Sequence, residues 1–216
     1  MICATKPSGT TNLTTATAGV PVSSAAINVA SLSSNVQIQE PVPSGWQLSS
    51  ASCTDANGTL TTNGTGTFGS LAGNTLTIPT ANLVYGADIR CTFTNRKTSQ
   101  FTLRKTWTNA IVNDAVSITT SGGTVNPSFA AVANTVSETD TGTAATVYAG
   151  ETLTFAESFT TGTSSNYNSS LACTGATDTN LANGLTINAA DSNIVCTYTN
   201  TRKTTTITLK KAWSTA

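Results

Sequence analysis

The sequence contains no histidine. That excludes a Ser-His-Asp arrangement, and no Gly-x-Ser-x-Gly elbow offers a serine nucleophile either, so hydrolase chemistry is set aside and no enzyme is expected. The commonest metal ligand is missing too. The five cysteines, Cys3, Cys53, Cys91, Cys173 and Cys196, form no close pair, so neither a metal nor a cofactor is expected. Charge is scarce: 9% of residues are charged, and ten basic side chains balance ten acidic ones. Nucleic-acid binding rests on neutralising phosphates, so this balance argues against it. No apolar run approaches the roughly 18 residues that would insert into a membrane as a helix. The opening Met1-Ile-Cys-Ala-Thr-Lys-Pro has no apolar core of a signal peptide, and the chain reads as a mature or excised piece of something longer.

Threonine, serine, asparagine, glycine and alanine fill the space that charge leaves, a composition that suits β-structure and serves helices poorly. Zero net charge and recurring apolar alternation argue against disorder. The alternation is clearest in a stretch that occurs twice, Cys91-Thr-Phe-Thr-Asn-Arg-Lys with Phe101-Thr-Leu-Arg-Lys-Thr-Trp107, and Cys196-Thr-Tyr-Thr-Asn with Ile207-Thr-Leu-Lys-Lys-Ala-Trp213. Each copy reads as two strands. Cys91, Phe93 and Asn95 share a face, as do Cys196, Tyr198 and Asn200. Phe101, Leu103, Lys105 and Trp107 share another, matched by Ile207, Leu209, Lys211 and Trp213. The tryptophans, Trp46 included, read as core or interdomain packing.

Laying the halves over each other extends the repeat. Val36–Glu40 matches Leu153–Glu157, Leu76–Ile78 matches Leu185–Ile187, and Cys53 and Cys91 hold the places of Cys173 and Cys196. Two disulfides, Cys53 to Cys91 and Cys173 to Cys196, follow from those places, with Cys3 left over. They imply an oxidising compartment. The expected fold is all-β, tandem Ig-like or prealbumin-like β-sandwich domains. Residues 98–203 form a complete repeat with strands at Phe101–Trp107, Ala115–Thr119, Thr146–Tyr148, Thr152–Phe159, Leu171–Thr174, Leu185–Ile187 and Ile194–Asn200. Residues 1–97 form a repeat without an obvious opening strand, Ile2–Lys6 being the nearest candidate. Residues 204–216 are the opening strand of a further repeat or a strand donated to the first unit of a neighbouring molecule. Asn57–Asn74 and Ser121–Ala145 read as loops.

Polar residues on apolar faces carry the chemistry. Lys105 stands among Phe101, Leu103 and Trp107, Glu157 among Leu153, Phe155 and Phe159, and Asn200 beside Tyr198. Such groups are expensive to bury unless they satisfy one another. Burial lowers a lysine pKa and raises a glutamate pKa, leaving an amine beside a protonated acid. The amine can attack the asparagine carboxamide, with the acid polarising the carbonyl and relaying the proton. Ammonia leaves and an isopeptide bond remains. In the first unit Glu40 and Asn95 hold the places of acid and acceptor. Lys6, or Lys211 arriving from a neighbouring molecule, would supply the amine.

The order Lys, Glu, Asn, with the lysine in a T-L-x-K strand and the asparagine in a C-T-[YF]-T-N strand, resembles the CnaB/SpaA-type repeats of bacterial surface adhesins and pilins. Glu40-Pro-Val-Pro-Ser-Gly-Trp46 resembles the E-x-x-P-x-G-[YW] signature of those repeats. The resemblance implies a prealbumin-like fold at a bacterial cell surface, with Lys105 as nucleophile, Asn200 as acceptor and Glu157 as the promoting acid. The expected role is a structural stalk or filament subunit whose partners are like subunits or adjacent repeats. The alternative is a module that binds a surface ligand through its loops.

Overall fold

In the computed structural model residues 2–4, 9–15, 19–29, 31–60 and 66–214 are described, with side chains described from residue 11 onward. The chain divides into two compact units, Met1–Lys97 and Thr98–Ala216.

The first unit opens with β1 (Ile2–Ala4) and β2 (Gly9–Thr11), followed by β3 (Val36–Gln39), β4 (Trp46–Asp55), β5 (Ser70–Ala72) and β6 (Thr75–Ile78). The boundary between the units falls within β7 (Ile89–Thr108). One sheet has the order β2-β1-β3-β6-β5, antiparallel throughout. A second ladder pairs β4 with Ile89–Lys97 of β7. Alternation fills the space between: Val36, Leu76 and Ile78 are buried from one side, and Cys53 from the other, with Phe93 partly covered. Gly45, at φ +78°, makes the turn that follows Pro43 and leads Trp46 into β4, a conformation that costs glycine little.

Strand β1 does not take the opening position expected of Ile2–Lys6. It lies against β3, with Ala4 opposite Ile38, in the sheet that does not contain Asn95. Residues 12–35 form no strand among the described residues.

The second unit is a two-sheet sandwich built from the rest of β7 and from β8 (Ala115–Ser121), β9 (Ser128–Val132), β10 (Glu138–Thr141), β11 (Ala145–Tyr148), β12 (Thr152–Thr161), β13 (Tyr167–Thr174), β14 (Leu185–Thr186) and β15 (Ile194–Arg202). One sheet has the order β10-β7-β15-β13, with β11 also on β7, and the other β14-β12-β8-β9. All ladders are antiparallel except that of β7 with β15, which is parallel. Phe101, Leu103, Trp107, Ile118, Leu153 and Ile194 are buried between the sheets.

Five expectations are corrected. Cys91–Asn95 and Phe101–Trp107 are one strand, because the intervening Arg96-Lys-Thr-Ser-Gln100 contains no glycine or proline to break it. Ser121–Ala145 is not a loop throughout; β9 and β10 lie within it, and their serine, alanine and threonine content hides the period-2 signal. In Asn57–Asn74, β5 and a bridge from Phe68 to Cys53 take up the second half. Of the tryptophans, Trp107 is buried, whereas Trp46 and Trp213 are exposed. Ile207–Trp213 forms no strand and has no ladder partner among the described residues, and Leu209 is 91% exposed.

Cys53 is bonded to Cys91 and Cys173 to Cys196, each across directly opposed antiparallel residues. The bonds close loops with separations of 38 and 23 residues. Restricting the unfolded chain in this way is worth about 3 to 4 kcal/mol per loop. Replacing Cys173 and Cys196 together by alanine should lower the unfolding free energy in urea by about 3 kcal/mol; a loss below about 1 kcal/mol would show that the loop is not restricting the unfolded chain.

Candidate functional site

Phe101 and Leu103 assign every second residue of β7 to the interior, and the alternation carries Lys105 in with them. Its side chain is fully buried. Beside it runs β15, in parallel register, with Tyr198 opposite Lys105 and Asn200 opposite Trp107. Asn200, also fully buried, is therefore the same-face diagonal neighbour of Lys105. Glu157 reaches in from β12 in the facing sheet, on the same side of its strand as Leu153 and Phe155.

The three meet at one oxygen. Lys105 Nζ donates to Glu157 Oε1 at 2.6 Å, and Asn200 Nδ2 donates to the same atom at 3.2 Å. Asn200 Oδ1 is buried without a hydrogen-bond partner. The Lys105 ammonium lies 4.4 Å from the centroid of the Trp107 ring, whose far neighbours are Phe159 and Tyr167. Burial pushes the Lys105 amine below its ordinary value of 10.5, and the hydrogen bond and charge of Glu157 act in the opposite direction. Tyr198 is raised, first by burial and then by the negative charge of Glu157. The site is a largely buried compartment beside the Trp107 ring, holding an amine, an acid and a carboxamide in contact.

The first unit repeats two-thirds of this. Asn95, on β7, donates through Nδ2 to Glu40 Oε1 at 2.6 Å, and Glu40 directly follows β3. Among the described residues Glu40 Oε2 and Asn95 Oδ1 are buried and without a hydrogen-bond partner. No cation among the described residues pairs with Glu40. Lys6 lies outside the described residues. Lys211 is exposed, its ammonium 3.9 Å from the ring centroid of Trp213. The structure thus brings together Lys105, Glu157 and Asn200, and separately Glu40 and Asn95. Sequence reasoning did not find the cradle that Trp107 and Tyr198 make around the lysine. Its only signal was that both aromatics lie on faces shared with the polar residues. Among the described residues no cluster of histidine, cysteine, aspartate or glutamate could hold a metal ion.

A buried ion pair makes a sharp energetic test, because removing one partner strands the other. In an Asn200→Ala background, where no crosslink can contribute, Lys105→Met should cost about 3 to 5 kcal/mol in urea unfolding. Lys105→Met with Glu157→Leu should recover most of that loss, and equal losses in the two variants would contradict a buried, mutually satisfied pair.

Residues 4–97 match a SpaA-type family described as a prealbumin-like fold domain. No curated protein and no solved structure matches the chain.

Proposed function

We propose that this chain, whose first unit carries a SpaA-type prealbumin-like domain, is a structural module of a bacterial surface filament or adhesin stalk. Its second unit closes an isopeptide bond between Lys105 and Asn200, promoted by Glu157. The observation that carries the reading is the convergence of Lys105 Nζ and Asn200 Nδ2 on a single oxygen of Glu157 inside an apolar core. Domains of the SpaA type are structural parts of cell-surface pilins and adhesins, which supports the placement of the whole module outside the cell. The two disulfides fit an oxidising compartment, and no helix among the described residues is long and apolar enough to cross a membrane. A ligand-recognising role has less to rest on, since β9 and β10 occupy part of the Ser121–Ala145 stretch that would have served as a loop.

The reaction follows from the contacts. The Lys105 ammonium passes a proton to Glu157, a transfer that desolvation favours because it replaces two buried charges with two neutral groups. Rotation of the Asn200 amide exchanges Nδ2 for Oδ1 at the acid, so the protonated Glu157 donates to the carbonyl oxygen that lacks a partner. Nζ attacks Cγ and a tetrahedral centre forms. Glu157 relays a proton from Nζ to Nδ2, the Cγ–Nδ2 bond breaks, and ammonia departs. In sum, a primary ammonium and a primary amide become a secondary amide and an ammonium ion. The event happens once per chain and turns over nothing.

Intact mass of the reduced full chain tests this directly. The mass should fall short of the sequence by one ammonia, and digestion should yield one branched peptide joining Lys105 to Asn200. Glu157→Gln keeps the shape of the side chain but cannot relay the proton, so that variant should fold, form both disulfides and show the full mass. Wild-type protein at full mass would sink the proposal.

A further inference from the structure

The two units have the same strand order in one sheet and differ in the other. In the first unit β2-β1-β3-β6 repeats the order and antiparallel sense of β9-β8-β12-β14 in the second. Likewise β4 pairs with Ile89–Lys97 as β13 pairs with β15, with the disulfides at matching positions. There the match stops. In the second unit β15 has a parallel neighbour on its other edge, the Phe101–Thr108 part of β7. Among the described residues Ile89–Lys97 pairs with β4 alone.

A further feature lies on that strand. The acid and carboxamide at Glu40 and Asn95 are in contact, and among the described residues their other oxygens, Oε2 and Oδ1, are buried without partners. Among the described residues, the first unit thus has a strand edge without a ladder partner and, on that strand, a carboxamide in contact with an acid but with no lysine. Ile207-Thr-Leu-Lys-Lys-Ala-Trp213 matches the strand that fills this position in the second unit, and here it is exposed and unpaired.

We propose that Ile207–Trp213 of a second copy of this chain inserts parallel to Ile89–Asn95 of the first, and that Lys211 then forms an isopeptide bond with Asn95, promoted by Glu40. This rests on the reaction proposed above for the second unit. Transferring the parallel register places Ile207 opposite Ile89, Leu209 opposite Cys91, Lys211 opposite Phe93 and Trp213 opposite Asn95. Main-chain ladder bonds supply affinity, and the alternate apolar side chains supply register. Nζ of Lys211 attacks Cγ of Asn95, the Cγ–Nδ2 bond breaks, and Glu40 relays the proton to the departing ammonia. Each copy has one donor and one acceptor, so the contact is head-to-tail and propagates into an open filament.

The test mixes isotopically heavy and light copies of the full chain carrying Cys3→Ser at high concentration with both disulfides intact, so no bridge through Cys3 can form. Denaturing gels should show a ladder of covalent multimers, each junction one ammonia lighter, and branched peptides pairing a heavy Lys211 with a light Asn95. Lys211→Arg should abolish the ladder yet retain association in sedimentation, whereas Leu209→Asp should abolish both. Both positions are exposed and lie in no strand among the described residues, so neither change threatens folding. Chains that stay monomeric in sedimentation would overturn the proposal. So would multimers that survive Leu209→Asp, or a Lys211–Asn95 peptide that is never mixed in label. Failure of the crosslink inside the second unit is read separately, from the monomer mass and the Lys105–Asn200 peptide.

Discussion

Burying a lysine between two apolar sheets is the constraint on which the second unit turns. An ammonium in that position is costly unless an anion and further hydrogen bonds accompany it. Glu157 meets it from the facing sheet, and Asn200 shares the same oxygen from the neighbouring strand. Satisfying the lysine therefore ties three strands from two sheets to one point. The disulfide protects that arrangement. Cys173 and Cys196 are directly opposed on β13 and β15, so the register of β15 cannot slip. A slip by one residue would turn Asn200 outward and leave the acid without its carboxamide.

The first unit shows what the same constraint does when it is only partly met. Its carboxylate and carboxamide touch, its disulfide lies at the matching place, and its core closes around Leu76 and Cys53. Yet among the described residues Glu40 Oε2 and Asn95 Oδ1 are buried without partners, a condition that native interiors seldom leave in place.

Much of this was legible in the residues because β-structure alternates. A lysine, a glutamate and an asparagine on otherwise apolar faces announce burial whatever the fold around them, and the strands bearing large apolar residues lie close to where alternation puts them. What could not be read was pairing. Ile2–Ala4 has the alternation of a strand, but nothing in three residues says which sheet it joins. Strands β9 and β10 hold their places through ladder bonds to β8 and β7 rather than through a strong apolar pattern, so their sequences look like loop. The continuity of β7 was obscured for the opposite reason, because charged residues at its middle look like a boundary where the backbone sees none.

The parallel ladder between β7 and β15 has a mechanical consequence. The second unit is entered at the start of the paired part of β7 and left at the end of β15, and in a parallel pair these points lie at opposite ends of the ladder. Tension along the chain therefore shears the two strands, loading all their hydrogen bonds together instead of unzipping them one at a time. A covalent bond between Lys105 and Asn200 would carry that tension straight from one strand to the other. The residues from Thr106 to Thr199 would then lie outside the path of force, and the unit would transmit a pull without lengthening.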